Sequence, residues 1–228
     1  YIKDLQNKKI NTTEPQVQEI LEHSLNLEFT TDNRKVIRES DIIFTLVQTP
    51  SLEDGSYDVS AVWEVVEDIK KEMNGIANYP KSFIVGCTTN PGDCDKFKDA
   101  LPKSVDVYYN PEFIAQGEII KGFRYPDIIL IGTDSEDVGE QLKEIYNKFI
   151  VSDPKYCIMK PLDAEIVKIS INGFITTKLS YANMISDMCD TVGADKYTVL
   201  NSIGNDSRIG NKYFRPGYSF GGPCFPRD

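Results

Sequence analysis

An α/β fold, with a mostly parallel sheet followed by a helical region, is predicted by three features of this 228-residue sequence. Short β-branched apolar runs alternate with segments of helical period as far as residue 160. Breakers such as Thr49-Pro50 and Asn90-Pro91-Gly92 stand where strands should end. After Pro161 a long proline-free helical pattern replaces the alternation.

Taken in order, Glu14 to Ser24 has helical spacing and Leu27 to Thr30 reads as a strand. Asp41 to Val47 (DIIFTLV) is a buried strand, and Ser51 to Asp58 an acidic loop. Val62, Val65, Val66 and Ile69 place a helix over Val59 to Met73. Ser82 to Cys87 is the next strand, and Asn90-Pro91-Gly92 opens a helix. Strands at Val105 to Tyr109 and Asp127 to Ile131, a helix from Glu136 to Phe149 and a strand from Lys155 to Met159 complete the alternation, which implies right-handed crossovers. From Asp163, the expected N-cap, a single helix should run to Thr191, about 29 residues or ~43 Å. Its apolar residues include Ile166, Val167, Ile169, Phe174, Ile175, Leu179, Ala182, Ile185 and Met188, a stripe broad enough to face a second surface. Ile175 and Leu179 are assigned to the outer part of that stripe, and a homodimer through residues 163–191 is expected. Gly193 should cap this helix, and a shorter one should follow from Ala194 to Ile203.

Composition removes several functions. Acidic residues outnumber basic ones by 35 to 25 and no basic block occurs, so neither nucleic acid nor an anionic membrane surface is an expected partner. The apolar runs are strand-sized, far short of the ~20 residues of a membrane span. With one histidine, His23 in a polar helix, neither a Ser-His-Asp relay nor a multi-histidine zinc site can be built within the chain. Cys87, Cys94, Cys157, Cys189 and Cys224 are odd in number and contain no C-x-x-C. They fit a reducing, cytoplasmic setting and no metal site. The first residue is Tyr1, and an interior piece of a longer protein is expected.

Five ordered motifs carry a resemblance: Val47-Gln48-Thr49-Pro50 with Asp54-Gly55-Ser56-Tyr57-Asp58; Cys87-Thr88-Thr89-Asn90-Pro91-Gly92; Asn110-Pro111-Glu112-Phe113; Lys168-x-x-x-Asn172; and Gly221-Gly222-Pro223-Cys224-Phe225-Pro226-Arg227-Asp228. Together they resemble the UDP-glucose/GDP-mannose dehydrogenase family. The resemblance implies NAD as cofactor and a nucleotide sugar as substrate, its C6 alcohol oxidised twice to the carboxylate, UDP-glucose being the first candidate. It also implies that residues 1–160 are the remainder of a Rossmann-like NAD-binding domain lacking its first strand unit. Residues 161–228 would then be an α-helical central, dimerising domain ending in the cysteine loop. No G-x-G-x-x-G occurs, so the fragment is expected to be inactive alone.

Cys224 follows two glycines and a proline, a tight turn whose amides lower a thiol pKa. The resemblance makes it the nucleophile, while packing remains its plain reading. Lys168 and Asn172 project from one helix face. The lysine is either a snorkelling surface residue or a buried cation with a task, and the resemblance assigns the pair to an oxyanion at C6 and to substrate binding. By the same resemblance Glu112, read as opening a helix, is the base for thioester hydrolysis, Thr88 orients the water, and Asp228 takes part in proton transfer. Val47, Gln48, Thr49, Pro50, Thr88 and Gln116 are assigned to NAD. Glu112, Phe113, Tyr213, Phe220 and Gly221 are assigned to the substrate. Gln116 stands where many relatives have a second glutamate, and an amide cannot act as a base. Two rivals remain: a β-hydroxyacid dehydrogenase relative, which has no catalytic thiol, and a non-catalytic dimerising fragment.

Overall fold

A computed structural model describes residues 1–75, 80–218 and 225. In chain order the elements are α1 Ile2–Gln6, α2 Val17–His23, α3 Asn33–Glu39, β1 Ile42–Thr45, α4 Ser60–Met73, β2 Lys81–Val85, α5 Asp93–Ala100, β3 Val105–Tyr109, α6 Ile119–Arg124, β4 Ile128–Gly132, α7 Glu136–Asn147, β5 Lys155–Met159, α8 Pro161–Val192 and α9 Lys196–Gly204. The chain divides into two compact units, Tyr1–Glu165 and Ile166–Asp228.

In the first unit the five strands lie in the order β1-β2-β3-β4-β5. The β1–β2, β2–β3 and β4–β5 pairs are parallel, and β3 meets β4 antiparallel at Tyr109 and Gly132. The sheet is mostly parallel, as its alternating sequence predicts. Phe83, Ile84 and Val85 of β2 are all fully buried, so this strand is covered on both faces, which explains its unbroken apolar run. On one face Ile84, Tyr108, Ile129, Ile131 and Leu142 form a cluster with α7. Of the four apolar positions that predict α4, Val62, Val66 and Ile69 are buried and Val65 is half-buried, and Trp63 meets Phe97 of α5 edge-on at 4.9 Å. Gly132 is required by packing: a Cβ there would lie 2.8 Å from the Cα of Pro161 and 2.9 Å from the Cβ of Tyr109.

Several expectations are corrected. Residues 27–30 form no strand and join none of the five in the sheet; Leu27 and Glu28 are exposed, so the run has no buried face to pair it. The long helix has 32 residues and begins at Pro161, so Asp163 lies in its first turn and is not its N-cap; proline is well placed there because the first helical N–H groups need no partner. α9 starts at Lys196, after Asp195, whose carboxylate accepts from the Tyr197 N–H at 3.1 Å. Gly193 follows α8 with φ +76°, the left-handed cap that glycine favours.

In the second unit Ala182, Leu200 and Phe214 form the core with Ile185 and Ile203. Ile175 and Leu179 are half-buried and share a helix face with the buried Lys168, Ala182 and Ser186, so they are not outer residues. The exposed apolar stripe runs instead through Phe174, Tyr181, Met184, Met188 and Val192, spaced seven, three, four and four residues apart. Among the described residues no helix is long and apolar enough to cross a membrane.

Candidate active site

Parallel strands present their carboxyl ends on one edge, and the loops that leave that edge carry the chemistry of such sheets. Here β1, β2 and β3 lead into Val47–Pro50, Cys87–Gly92 and Asn110–Gln116. The first two loops leave side by side, the Gly86 N–H donating to the Thr45 carbonyl at 2.9 Å, and a Cβ on Gly86 would sit 2.6 Å from Leu46. The Asn110 N–H donates to the Val85 carbonyl at 2.9 Å, which brings in the third. The Cys87 thiol lies among all three. Burial pushes it up to about 11, the Glu112 carboxylate adds to the rise, and a hydrogen bond from the Val47 backbone opposes it. Such a thiol stays protonated near neutrality and is a poor nucleophile. Cys94 is buried, and its thiol is raised further, again chiefly by burial.

Each loop is braced by residues that sequence reasoning did not single out. Asn90 accepts from the Tyr57 N–H at 2.8 Å and donates to the Tyr57 carbonyl at 3.0 Å, tying the Ser51–Asp58 hairpin to the β2 loop. Asp93, itself buried, holds Asn90 through its backbone N–H and side-chain amide. Glu165 is fully buried on the first turns of α8. Its carboxylate accepts from the Thr89 hydroxyl at 2.9 Å, the Gly92 N–H at 2.6 Å and the Cys94 N–H at 3.0 Å. It therefore places a negative charge on the N-terminus of α5, where the helix dipole favours one. Asn110 donates to the Leu130 carbonyl at 2.8 Å and accepts from the Tyr146 hydroxyl at 2.6 Å. Asp93 and Glu165 carry no sequence signal, whereas Tyr57, Thr89, Asn90, Gly92 and Asn110 stand in the motifs quoted above.

Of the candidates, Thr88 is half-buried, while Thr89 is buried and spends its hydroxyl on Glu165. Glu112 is exposed in an irregular loop and does not open a helix; the next helix, α6, begins seven residues later at Ile119. Phe113 is half-buried and Gln116 exposed. Val47 is half-buried, Thr49 is buried, and Gln48 and Pro50 are exposed beside it. The structure thus brings Val47–Pro50, Thr88 and Glu112 to one edge of the sheet. In the second unit Lys168 is buried and Asn172 half-buried, one helical turn apart on α8, which removes the reading of Lys168 as a snorkelling surface residue. Tyr213 is exposed with φ +58° and meets Phe225 edge-on at 6.4 Å. Its loop is held by Lys178, which donates to the carbonyls of Ile209 and Gly210 at 3.0 and 3.1 Å, and by Asn183, which accepts from the Gly217 N–H at 2.8 Å. Phe220, Gly221, Cys224 and Asp228 lie outside the described residues.

Residues 1–150 match the model of the UDP-glucose/GDP-mannose dehydrogenase family NAD binding domain, and residues 162–228 match that family's central domain. The chain belongs to the UDP-glucose/GDP-mannose dehydrogenase family. It is 31% identical to a UDP-glucose 6-dehydrogenase of Rickettsia prowazekii over all of its own length and 53% of that protein's. Among solved structures it is similar to a UDP-glucose dehydrogenase of the archaeon Pyrobaculum islandicum, at 30% identity and a TM-score of 0.90 over 99% of this chain and 54% of that one. A GDP-mannose dehydrogenase from Pseudomonas aeruginosa follows at 27% identity and a TM-score of 0.81, with 99% and 54% covered. The chain therefore spans about half the length of the dehydrogenases it matches. Gln48, Pro50 and Gln116 are exposed in their loops, and Asn90 and Asn110, which brace those loops, are already engaged.

Proposed function

We propose that the protein containing this chain oxidises the C6 alcohol of a nucleotide sugar to the carboxylate with NAD, UDP-glucose being the first candidate and GDP-mannose or UDP-N-acetylmannosamine the alternatives. The observation that carries this reading is that both units match consecutive domains of one dehydrogenase family. Val47, Gln48, Thr49, Pro50, Thr88 and Gln116 would hold NAD, which when bound accepts the hydride from C6 in each oxidation. The Lys168 ammonium and the Asn172 amide stabilise the oxygen at C6 as negative charge develops on it. The Cys224 sulfur bonds to the aldehyde carbon to give a thiohemiacetal, and the thioester formed by the second oxidation is hydrolysed. Glu112 takes the proton of the hydrolytic water, Thr88 orients that water, and Asp228 completes the proton path. Phe113, Tyr213, Phe220 and Gly221 contact the nucleotide sugar.

Burial keeps the Cys87 thiol protonated near neutrality, so Cys87 is not suited to be the working thiol. A homodimer through α8 belongs to the same reading, the exposed stripe from Phe174 to Val192 being its contact. Offering UDP-glucose, GDP-mannose and UDP-N-acetylmannosamine with NAD to the full-length protein, and following NADH absorbance, tests the proposal. Turnover of one of them is expected; turnover of none would overturn it.

A further inference from the structure

The segment from Asn110 to Ile119 contains no strand and no helix until its last residue, yet it is fastened at both ends. At its entrance Asn110 makes the bonds to Val85, Leu130 and Tyr146 already described. At its exit the carboxylate of Glu14, more than one hundred residues earlier, accepts from the Gly117 N–H at 2.6 Å through Oε1 and from the Ile119 N–H at 3.3 Å through Oε2. Gly117 has φ +91°, a left-handed turn that side chains resist, and the Glu118 N–H closes that turn on the Ala115 carbonyl at 3.2 Å. Gln116 thus stands inside the turn whose next amide Glu14 grips.

Glu14 is itself held. Its N–H donates to the Thr12 hydroxyl at 3.1 Å, and Gln16, with φ +67°, turns the chain into α2. Gln18 then accepts from the Ile10 N–H at 3.0 Å and donates to the Lys8 carbonyl at 2.9 Å. The anchor is therefore a braced turn and not a free side chain. Hydrogen bonds to a carboxylate are roughly twice as strong as neutral ones. An irregular loop fixed at both ends also surrenders its freedom at folding instead of at substrate binding.

We propose that Glu14 is a positioning residue for the loop that carries Glu112 and Gln116: it fixes the loop's exit as Asn110 fixes its entrance, and so sets where the Glu112 carboxylate and the Gln116 amide are presented. It acts through the loop backbone. The consequence for chemistry rests on the functional reading of Glu112 and Gln116 given above; the clamp itself does not.

Two measurements test it. In the 228-residue chain, amide hydrogen exchange of Glu14→Gln and Glu14→Ala should quicken at Gly117 and Ile119 by about tenfold or more, with the Asn110 amide as an unaffected control. Unchanged exchange at both amides would overturn the proposal. In the full-length enzyme Glu14→Gln should lower kcat for uronic acid formation about tenfold. In a Glu112→Gln background it should lower it by less than about twofold, because the two changes act on one group. Independent, multiplying effects would also overturn the proposal, since a merely stabilising residue behaves in that way. If Glu112→Gln alone leaves turnover intact, the assigned chemistry of Glu112 fails and with it the positioning of that base, while the exchange rates still decide whether Glu14 holds the loop.

Discussion

A fully buried carboxylate is costly unless every acceptor position is used, and Glu165 shows how that cost is offset: a hydroxyl and two helix N-terminal amides converge on it. Glu165→Ala would strand those donors and should destabilise the chain by about 3 kcal/mol, seen as a lower urea midpoint. A change under about 0.5 kcal/mol would show that water replaces the carboxylate there. Nothing in the sequence marks Glu165, which reads as an ordinary polar position on a helix; its task comes from Thr89, Gly92 and Cys94, more than seventy residues away. Motif residues were more legible. Burial of Lys168 agrees with a cation that has a task, and it could be suspected because the lysine stands among isoleucines and valine. Cys224→Ser in the full-length enzyme should slow uronic acid formation by about two orders of magnitude or more and let aldehyde accumulate, a hydroxyl being the weaker nucleophile. Normal conversion would remove Cys224 from the proposed mechanism.

Regular elements follow from periodic sequence, and those were readable: β3 and β5 have the predicted bounds, and α4 differs from its prediction by one residue. The segments that escaped prediction have no period to read. Residues 111–118 look like a helix start, with Pro111 and Glu112 in sequence, yet form a loop that Asn110 and Glu14 hold at its two ends. In α8 the breadth of the apolar pattern was visible, but which side faces outward was not, since isoleucine and leucine occur on both. The structure puts Ile175 and Leu179 on the buried side and Met184 and Met188 outside. Met184→Glu with Met188→Glu should therefore shift a dimer to monomers by light scattering at tens of micromolar while leaving the helical circular dichroism unchanged. A dimer of unaltered stability would place the contact elsewhere. Ile175→Glu with Leu179→Glu, in contrast, should lower the melting temperature.

At the scale of the whole molecule, each unit has its own core, and the chain covers about half of the dehydrogenases it resembles. The phosphate-binding turn usual in dinucleotide folds, a glycine-rich strand exit at a helix N-terminus, has no counterpart in this sequence. Contacts to adenine and nicotinamide alone are credited with about 4 kcal/mol, so the 228-residue chain should bind NAD with a Kd near or above about 1 mM by calorimetry. Micromolar affinity would reveal another phosphate cradle within these residues. The central claim is the pair of oxidations at one carbon. Its most direct test is the stoichiometry of NADH to nucleotide sugar in the full-length enzyme under limiting substrate, with the product identified by mass. Two NADH per sugar and a uronic acid are predicted; one NADH with an aldehyde product, or no NADH from any nucleotide sugar, would contradict the account.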